Sequence, residues 1–164
     1  MKVYVTRSRP GGGKSTWIKQ FIETYHGCEH LVEVFSADHF FESDGEYKFN
    51  PKLLGEAHGS CLRQFTRRMV AGDPTGEGLV AVVDNCNRTV WEIMPYIQVA
   101  VAFGHDVKVI HIHCLEATAA AKNVHGVPEH LILNWRPEQL PKPFRKMEKH
   151  IDNDYRTPFA VERL

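Results

Sequence analysis

The stretch KVYVTRSRPGGGKSTWIKQFIETY, residues 2–25, decides the fold. KVYVTR alternates β-branched and aromatic residues over strand length, SRPGGGKST holds three consecutive glycines, and TWIKQFIETY carries apolar residues at helical spacing. A glycine turn between a strand and a helix presents bare backbone N–H groups and the positive end of a helix dipole to one spot, which is the requirement for cradling a phosphate. In that loop Pro10, Gly11, Gly12, Gly13, Lys14, Ser15 and Thr16 are the candidate nucleotide-binding residues. Lys14 is placed to reach the outer phosphates, and the Ser15 hydroxyl, with Thr16 beside it, to ligate a magnesium ion carried in by the nucleotide. The pattern G-x-x-x-x-G-K-[ST] is met except at its first glycine, where Ser8 stands. A serine there predicts strain of about 1–2 kcal/mol if the turn needs a positive φ, and hence weak nucleotide affinity.

Outward from this loop the pattern repeats. LVEVFSAD (31–38) reads as a second strand ending in Asp38, and GLVAVVDN (78–85) as a third ending in Asp84. Between them a helix is expected from about Lys52 to Val70, closed by Gly72. TVWEIMPYIQVAVAFG follows, with Thr89 and Glu92 spaced as a capping box and Gly104 as the stop, and DVKVIHIHC (106–114) supplies a fourth strand. Glu116–Ala121 restarts a helix, NVHGVP breaks it, and EHLILNWRP forms a short second one. The order β-α-β-α-β-α-β predicts an α/β fold of three layers, a parallel sheet with helices on both faces, because parallel strands need crossover helices. Ligands then sit beyond the strands' carboxyl ends, where Asp38 and Asp84 join the glycine loop. Two carboxylates there can divide magnesium binding and proton acceptance in a phosphoryl transfer. Either aspartate alone is equally well read as a helix cap or turn residue.

At 164 residues, 43% of them apolar, the chain is expected to form one domain around a sizeable core, with residues 137–164, rich in proline and poor in periodicity, as an irregular tail. A disordered chain is excluded. Lysine plus arginine (20) balances aspartate plus glutamate (20), so no global field draws the molecule to nucleic acid or to an anionic membrane. The balance is uneven locally: Lys2, Arg7, Arg9, Lys14 and Lys19 all precede the first acid, Glu23, so the amino-terminal end is expected to face an anion. No apolar run approaches the roughly 18 residues of a membrane span. Four cysteines, at 28, 61, 86 and 114, lack C-x-x-C spacing and no secretory segment opens the chain, so a cytoplasmic location is expected.

The segments RPGGGKST, FSADHFF, DGEYKFNP, LGEAH, VVDNCNRTVWEIMPY and KNVHGVP, in that order, resemble the P-loop kinases related to the kinase domain of phage polynucleotide 5′-kinase, together with the small AAA-type predicted kinases that carry an S-x-D-x-[FY]-F segment. The resemblance implies a P-loop NTPase fold of the adenylate-kinase type with a small lid at about 116–136. It also implies ATP and Mg2+ as cofactors, and transfer of the γ-phosphate to a hydroxyl. On that basis Asp38 is the general base, Lys14 and Ser15 hold phosphate and magnesium, Asp84 and Asn87 lie near the acceptor or metal, and Phe41 lines the acceptor site. Lys122 is the lid cation, with His125 nearby. A lysine there brings one point charge where the family has an arginine fork, implying weaker stabilisation of the transferring group. Phe41 stands where the polynucleotide kinase has an arginine for the acceptor phosphate.

The acceptor is a polynucleotide 5′ end or a nucleoside-like hydroxyl on the main reading. The alternatives are a small metabolite or drug, or a nucleotide-binding module with weak or no catalysis. Arg63, Arg67 and Arg68 offer a basic helical face for nucleic acid, or simply a solvated one. Asp38, Glu42, Asp44, Glu46 and Glu56 argue against a polyanion. The aromatics Phe40, Phe41, Tyr47 and Phe49 read as core, with stacking of a base as the other use. His26, Cys28 and His30 do not match common zinc spacing, His111 and His113 are expected to pack within the domain, and Trp17, Trp91 and Trp135 to anchor helices against the sheet.

Overall fold

The computed structural model describes residues 1–25, 31–43, 45–74, 76–123 and 126–152. Strands are β1 (Lys2–Arg7), β2 (Val32–Phe35), β3 (Glu42–Ser43), β4 (Glu46–Tyr47), β5 (Val80–Val83), β6 (Asp106–His113) and β7 (Glu148–Asp152). Helices are α1 (Lys14–Thr24), α2 (Leu54–Ala71), α3 (Val90–Ala102), α4 (Glu116–Ala121) and α5 (Glu129–Leu133). Five strands form one wholly parallel sheet in the order β2-β5-β1-β6-β7, while β3 and β4 make a small antiparallel hairpin.

The alternation of side chains along β1 divides the core into two layers. Tyr4 turns to the face covered by α1, where it meets Trp17, Ile18 and Phe21 together with Val80, Val82, Ile110 and Ile112. Val3 and Val5 turn the other way, toward α2 and α3. The face that α2 buries is a row at spacing four, Ala57, Cys61, Phe65 and Met69; fully burying a side chain the size of phenylalanine or methionine contributes about 1.5–3 kcal/mol. Helix α3 starts on the expected capping box, Thr89 accepting from the Glu92 amide while the Glu92 carboxylate accepts from the Thr89 amide, and the chain reverses at Gly104, φ +73°. Helices on both faces of a parallel sheet are thus what the sequence pattern implies.

Up to Asp152, the segment after Pro137 departs from its expected irregularity. A 3₁₀ turn over Lys142–Met147 leads into β7, whose register sets Glu148 against Val109 and His150 against His111. EKHID lacks the β-branched run that marks a buried strand, because β7 is an edge strand, where charged side chains protect the free edge. Among the described residues no helix is long and apolar enough to cross a membrane.

The amino-terminal basic cluster is also redistributed. Arg7, 1% exposed, donates to the carbonyls of Asn87 (3.0 Å), Arg88 (2.8 Å) and Glu138 and to the Glu148 carboxylate (3.3 Å). It is a buried clamp between β1, the loop after β5 and β7, so it faces no external anion. The Glu148 carboxyl is held below its ordinary range: burial opposes this, but the neighbouring His111 ring and the Arg7 guanidinium outweigh it.

Candidate active site

Strand order places the ends of β2, β5 and β1 side by side, and with them Asp38, Asp84 and the glycine loop. The loop is shaped by its glycines. Gly11 and Gly13 sit at φ +70° and +93°, in the left-handed region that other residues enter at a cost. A Cβ on Gly12 would lie 2.0 Å from Ser8 Oγ and 2.8 Å from the Arg9 carbonyl, and one on Gly11 would lie 2.1 Å from the carbonyl oxygen of Ala119 in α4. All three positions therefore demand glycine, each for a stated reason. Gly13 is the N-cap of α1 and no side chain caps that end, so the first-turn amides of Lys14, Ser15 and Thr16 are left for a ligand. Ser15 and Thr16 are exposed. A cradle this tight, opening on a bare helix end, fits a phosphate chain.

The strain expected at Ser8 is absent, since the one non-glycine residue at positive φ among those described is Asn87. Ser8 is instead buried, its amide donating to the Cys86 carbonyl at 3.3 Å.

Lys14 ties the loop to the strand ends. Its Nζ lies 3.5 Å from Cys86 Sγ. Burial pushes the ammonium's pKa down, but Cys86, Asp84 and Asp38 together raise it above its ordinary value. Both carboxylates thus act on the same ammonium group, and the structure brings together the three charged groups that the sequence singled out.

Asp38 opens a 3₁₀ turn, Asp38–Phe41. Its backbone N–H donates to Ser36 Oγ (3.2 Å), whose own hydroxyl donates to the Asp84 carbonyl (3.0 Å). Asn85 Oδ1 accepts from the Ala37 amide at 3.0 Å, and Asn85 Nδ2 reaches Tyr96 Oη (3.3 Å) and Cys61 Sγ (3.6 Å). Ser36 and Asn85 therefore fix the two strand ends to each other. Sequence reasoning missed both, although Asn85 directly follows the strand-end aspartate. Tyr47, on the hairpin, donates to Asp38 Oδ1 at 3.0 Å. Burial, followed by the Asp38 charge and this hydrogen bond, pushes the Tyr47 hydroxyl up to about 12, so it stays a donor at neutral pH.

Two expected acceptor residues have other tasks. Phe41 is 5% exposed and packs into the α2-side core with Phe35 and Ala37, edge-on to Phe40, Tyr47 and Phe49. Of that aromatic group only Phe40, Tyr47 and Phe49 reach the surface. Asn87, 1% exposed, donates from Nδ2 to the Thr6 carbonyl at 2.7 Å, so it braces β1 and does not open toward an acceptor.

The stretch after β6 packs on the phosphate loop. The Ala119 carbonyl abuts Gly11, Arg9 pairs with Glu116 at 3.4 Å, and Arg136 pairs with the same carboxylate at 3.0 Å. Lys122 is the exposed C-cap of α4. His125, Asp44 and the His26, Cys28, His30 cluster lie outside the described residues. Of the arginines on α2, Arg68 is spent on Glu33 at 2.5 Å. Trp17 and Trp135 are buried as expected, whereas Trp91 is 88% exposed at the start of α3.

No family model matches the chain. Among characterised proteins it is similar to human NEDD4-binding protein 2, 28% identical over 136 residues. That match takes in 77% of this chain but spans only about 7% of the relative's length. Among solved structures it is similar to a gluconokinase from Sinorhizobium meliloti 1021, at 15% identity and a TM-score of 0.59, covering 96% of this chain and 84% of the other. At that identity the likeness speaks for architecture alone: the five-stranded parallel sheet and the flanking helices match the P-loop NTPase fold of that structure.

Proposed function

We propose that this chain is an ATP- and Mg2+-dependent phosphotransferase that phosphorylates a hydroxyl of a small molecule. The observation that carries the reading is the meeting of Lys14, Asp38 and Asp84 at one sheet edge beside an uncapped, glycine-lined helix end. Mg·ATP, when bound, supplies the phosphoryl group and part of the charge neutralisation. The uncapped amides of residues 14–16 and the Lys14 ammonium would hold the phosphates, and Ser15 with Asp84 would hold the magnesium. Asp38 accepts the proton of the acceptor hydroxyl: Tyr47 binds Oδ1 and orients the carboxylate, leaving Oδ2 for that proton. Residues 116–136 act as the lid, with Lys122 as its cation.

A small acceptor is favoured by the fold shared with a gluconokinase and by the acids around Asp38, with Glu42 and Glu46 on the hairpin. The exposed rings of Phe40, Tyr47 and Phe49 support a second reading, a nucleoside-like or polynucleotide 5′-hydroxyl acceptor, since a base stacks on such a surface. Labelled ATP offered with sugar acids and polyols, with nucleosides, and with 5′-hydroxyl oligonucleotides at low salt separates these. Transfer to small alcohols but not to oligonucleotides is the expected result. Asp38→Asn lowers transfer by about 10²–10⁴-fold while leaving ATP binding intact. Normal turnover in that variant removes Asp38 from the mechanism, and ATP binding without transfer to any acceptor would establish a non-catalytic nucleotide-binding module instead.

A further inference from the structure

The phosphotransfer reading leaves unused a group of three imidazoles on the other half of the sheet. His111 and His113, two apart on β6, share a face, and the parallel register sets His150 of β7 beside His111. The rings lie 4.1 Å (His111–His113), 4.9 Å (His113–His150) and 5.0 Å (His111–His150) apart between centroids. One ring nitrogen from each lies within 4.8 Å of the other two.

Imidazole chemistry makes this arrangement unusual as plain packing. His113 Nε2 and His150 Nδ1 are 2.6 Å apart, so one donates and the other accepts. His111 is 6% exposed, and its Nδ1 faces Glu148 Oε1 at 3.3 Å. Neutral, the three rings crowd their lone pairs into one space with a single hydrogen bond among them. An ion that accepts lone pairs turns this crowding into coordination.

The geometry points to a zinc-class metal site formed by His111, His113 and His150. Ligand distances of about 2.0–2.1 Å in a tetrahedral site require nitrogens roughly 3.4 Å apart, inside the range spanned here, so modest ring rotations suffice. An all-imidazole donor set suits Zn2+, Ni2+, Cu2+ or Co2+ and is foreign to Mg2+ and Ca2+, which take oxygen ligands. This metal is therefore separate from the magnesium that accompanies a nucleotide. His113 is exposed, so the ion has access from solvent. Glu148 beside the His111 ring supplies the carboxylate that commonly orients a ligating imidazole. Because two ligands come from β6 and one from β7, the bound ion pins the edge strand to the sheet.

The test uses the full chain without an affinity histidine tag, stripped with chelator, and titrated with Zn2+ in the absence of nucleotide and magnesium. One equivalent is expected to bind, with a rise of several degrees in Tm and, with Co2+ substituted, a visible absorption band of low-symmetry coordination. His113→Gln and His150→Gln each abolish the one-equivalent transition, the Tm rise and the Co2+ band, whereas His58→Gln on α2 keeps all three. Circular dichroism of the metal-free variants, unchanged from the native chain, shows that the loss is not unfolding. Absence of the transition in the native chain, or its survival in both ligand variants, overturns the assignment.

Discussion

Adding one methyl group at Gly11 probes the phosphate loop and its packing against α4 together. The residue has φ +70°, and an added Cβ would sit 2.1 Å from the Ala119 carbonyl oxygen. Relief to even 3.0 Å, the bottom of the observed range for such contacts, requires about 0.9 Å of movement by backbone on one side or the other. The left-handed conformation costs an alanine about 1–2 kcal/mol, and forcing extra volume into a packed contact typically costs about 1–3 kcal/mol. Gly11→Ala is therefore expected to lose about 2–5 kcal/mol, a large part of the roughly 5–15 kcal/mol that holds a domain folded. Urea unfolding followed by tryptophan fluorescence reads this directly, since Trp17 is fully buried under the sheet. Gly55→Ala on α2 is the matched control: its Cβ meets nothing within 4 Å and its φ is ordinary, so the same methyl group stabilises the helix by about 0.5–1 kcal/mol. The two variants move in opposite directions. A Gly11→Ala protein as stable as the native chain would refute the described contact between loop and helix.

Three other perturbations follow from the same structure. Asn85→Ala leaves the Ala37 amide without its acceptor and is expected to cost about 1–3 kcal/mol by urea unfolding, and to lower phosphoryl transfer by loosening the approach to Asp38. Glu148→Gln strands the Arg7 charge in the interior, a loss of about 3–5 kcal/mol at neutral pH. Because the folded-state pKa of Glu148 lies below its ordinary 4.5, the native carboxylate contributes stability above that pH and loses it as pH falls through the folded value. The native urea midpoint should accordingly drop on the acid side, and the glutamine variant should show a flatter acid limb. Alkylation of Cys86, whose sulfur is 3.5 Å from the Lys14 ammonium, should abolish ATP binding, and Mg·ATP should slow the reaction as read by peptide mass spectrometry. Labelling unaffected by nucleotide would separate Cys86 from the binding site.

What the sequence disclosed and what it hid follow a physical division. The parallel sheet was legible because buried strands such as VAVV and the capping box at Thr89 are local signals, dictated by burial and by orphan amides. The glycine loop was legible because only glycine tolerates those φ values. The hidden parts depend on partners distant in the chain. Arg7 looked like a cation awaiting a ligand, but its partners are Glu148 and three carbonyls brought to it by the sheet. Asn87 was a site residue on the kinase resemblance, yet at φ +47° its side chain turns inward to Thr6. Phe41 and Phe40 are neighbours with similar chemistry, and only the turn they occupy decides which is core and which is surface. Edge strand β7, charged and short, carries no hydrophobic period to read.

The bond from Arg7 to Glu148 joins positions 141 apart in the chain, and this has a consequence for biosynthesis. The arginine at the base of the glycine loop lacks its Glu148 counter-charge until β7 has been translated. That part of the clamp forms only when β7 closes the sheet edge, and long-range closures of this kind are intrinsically slow.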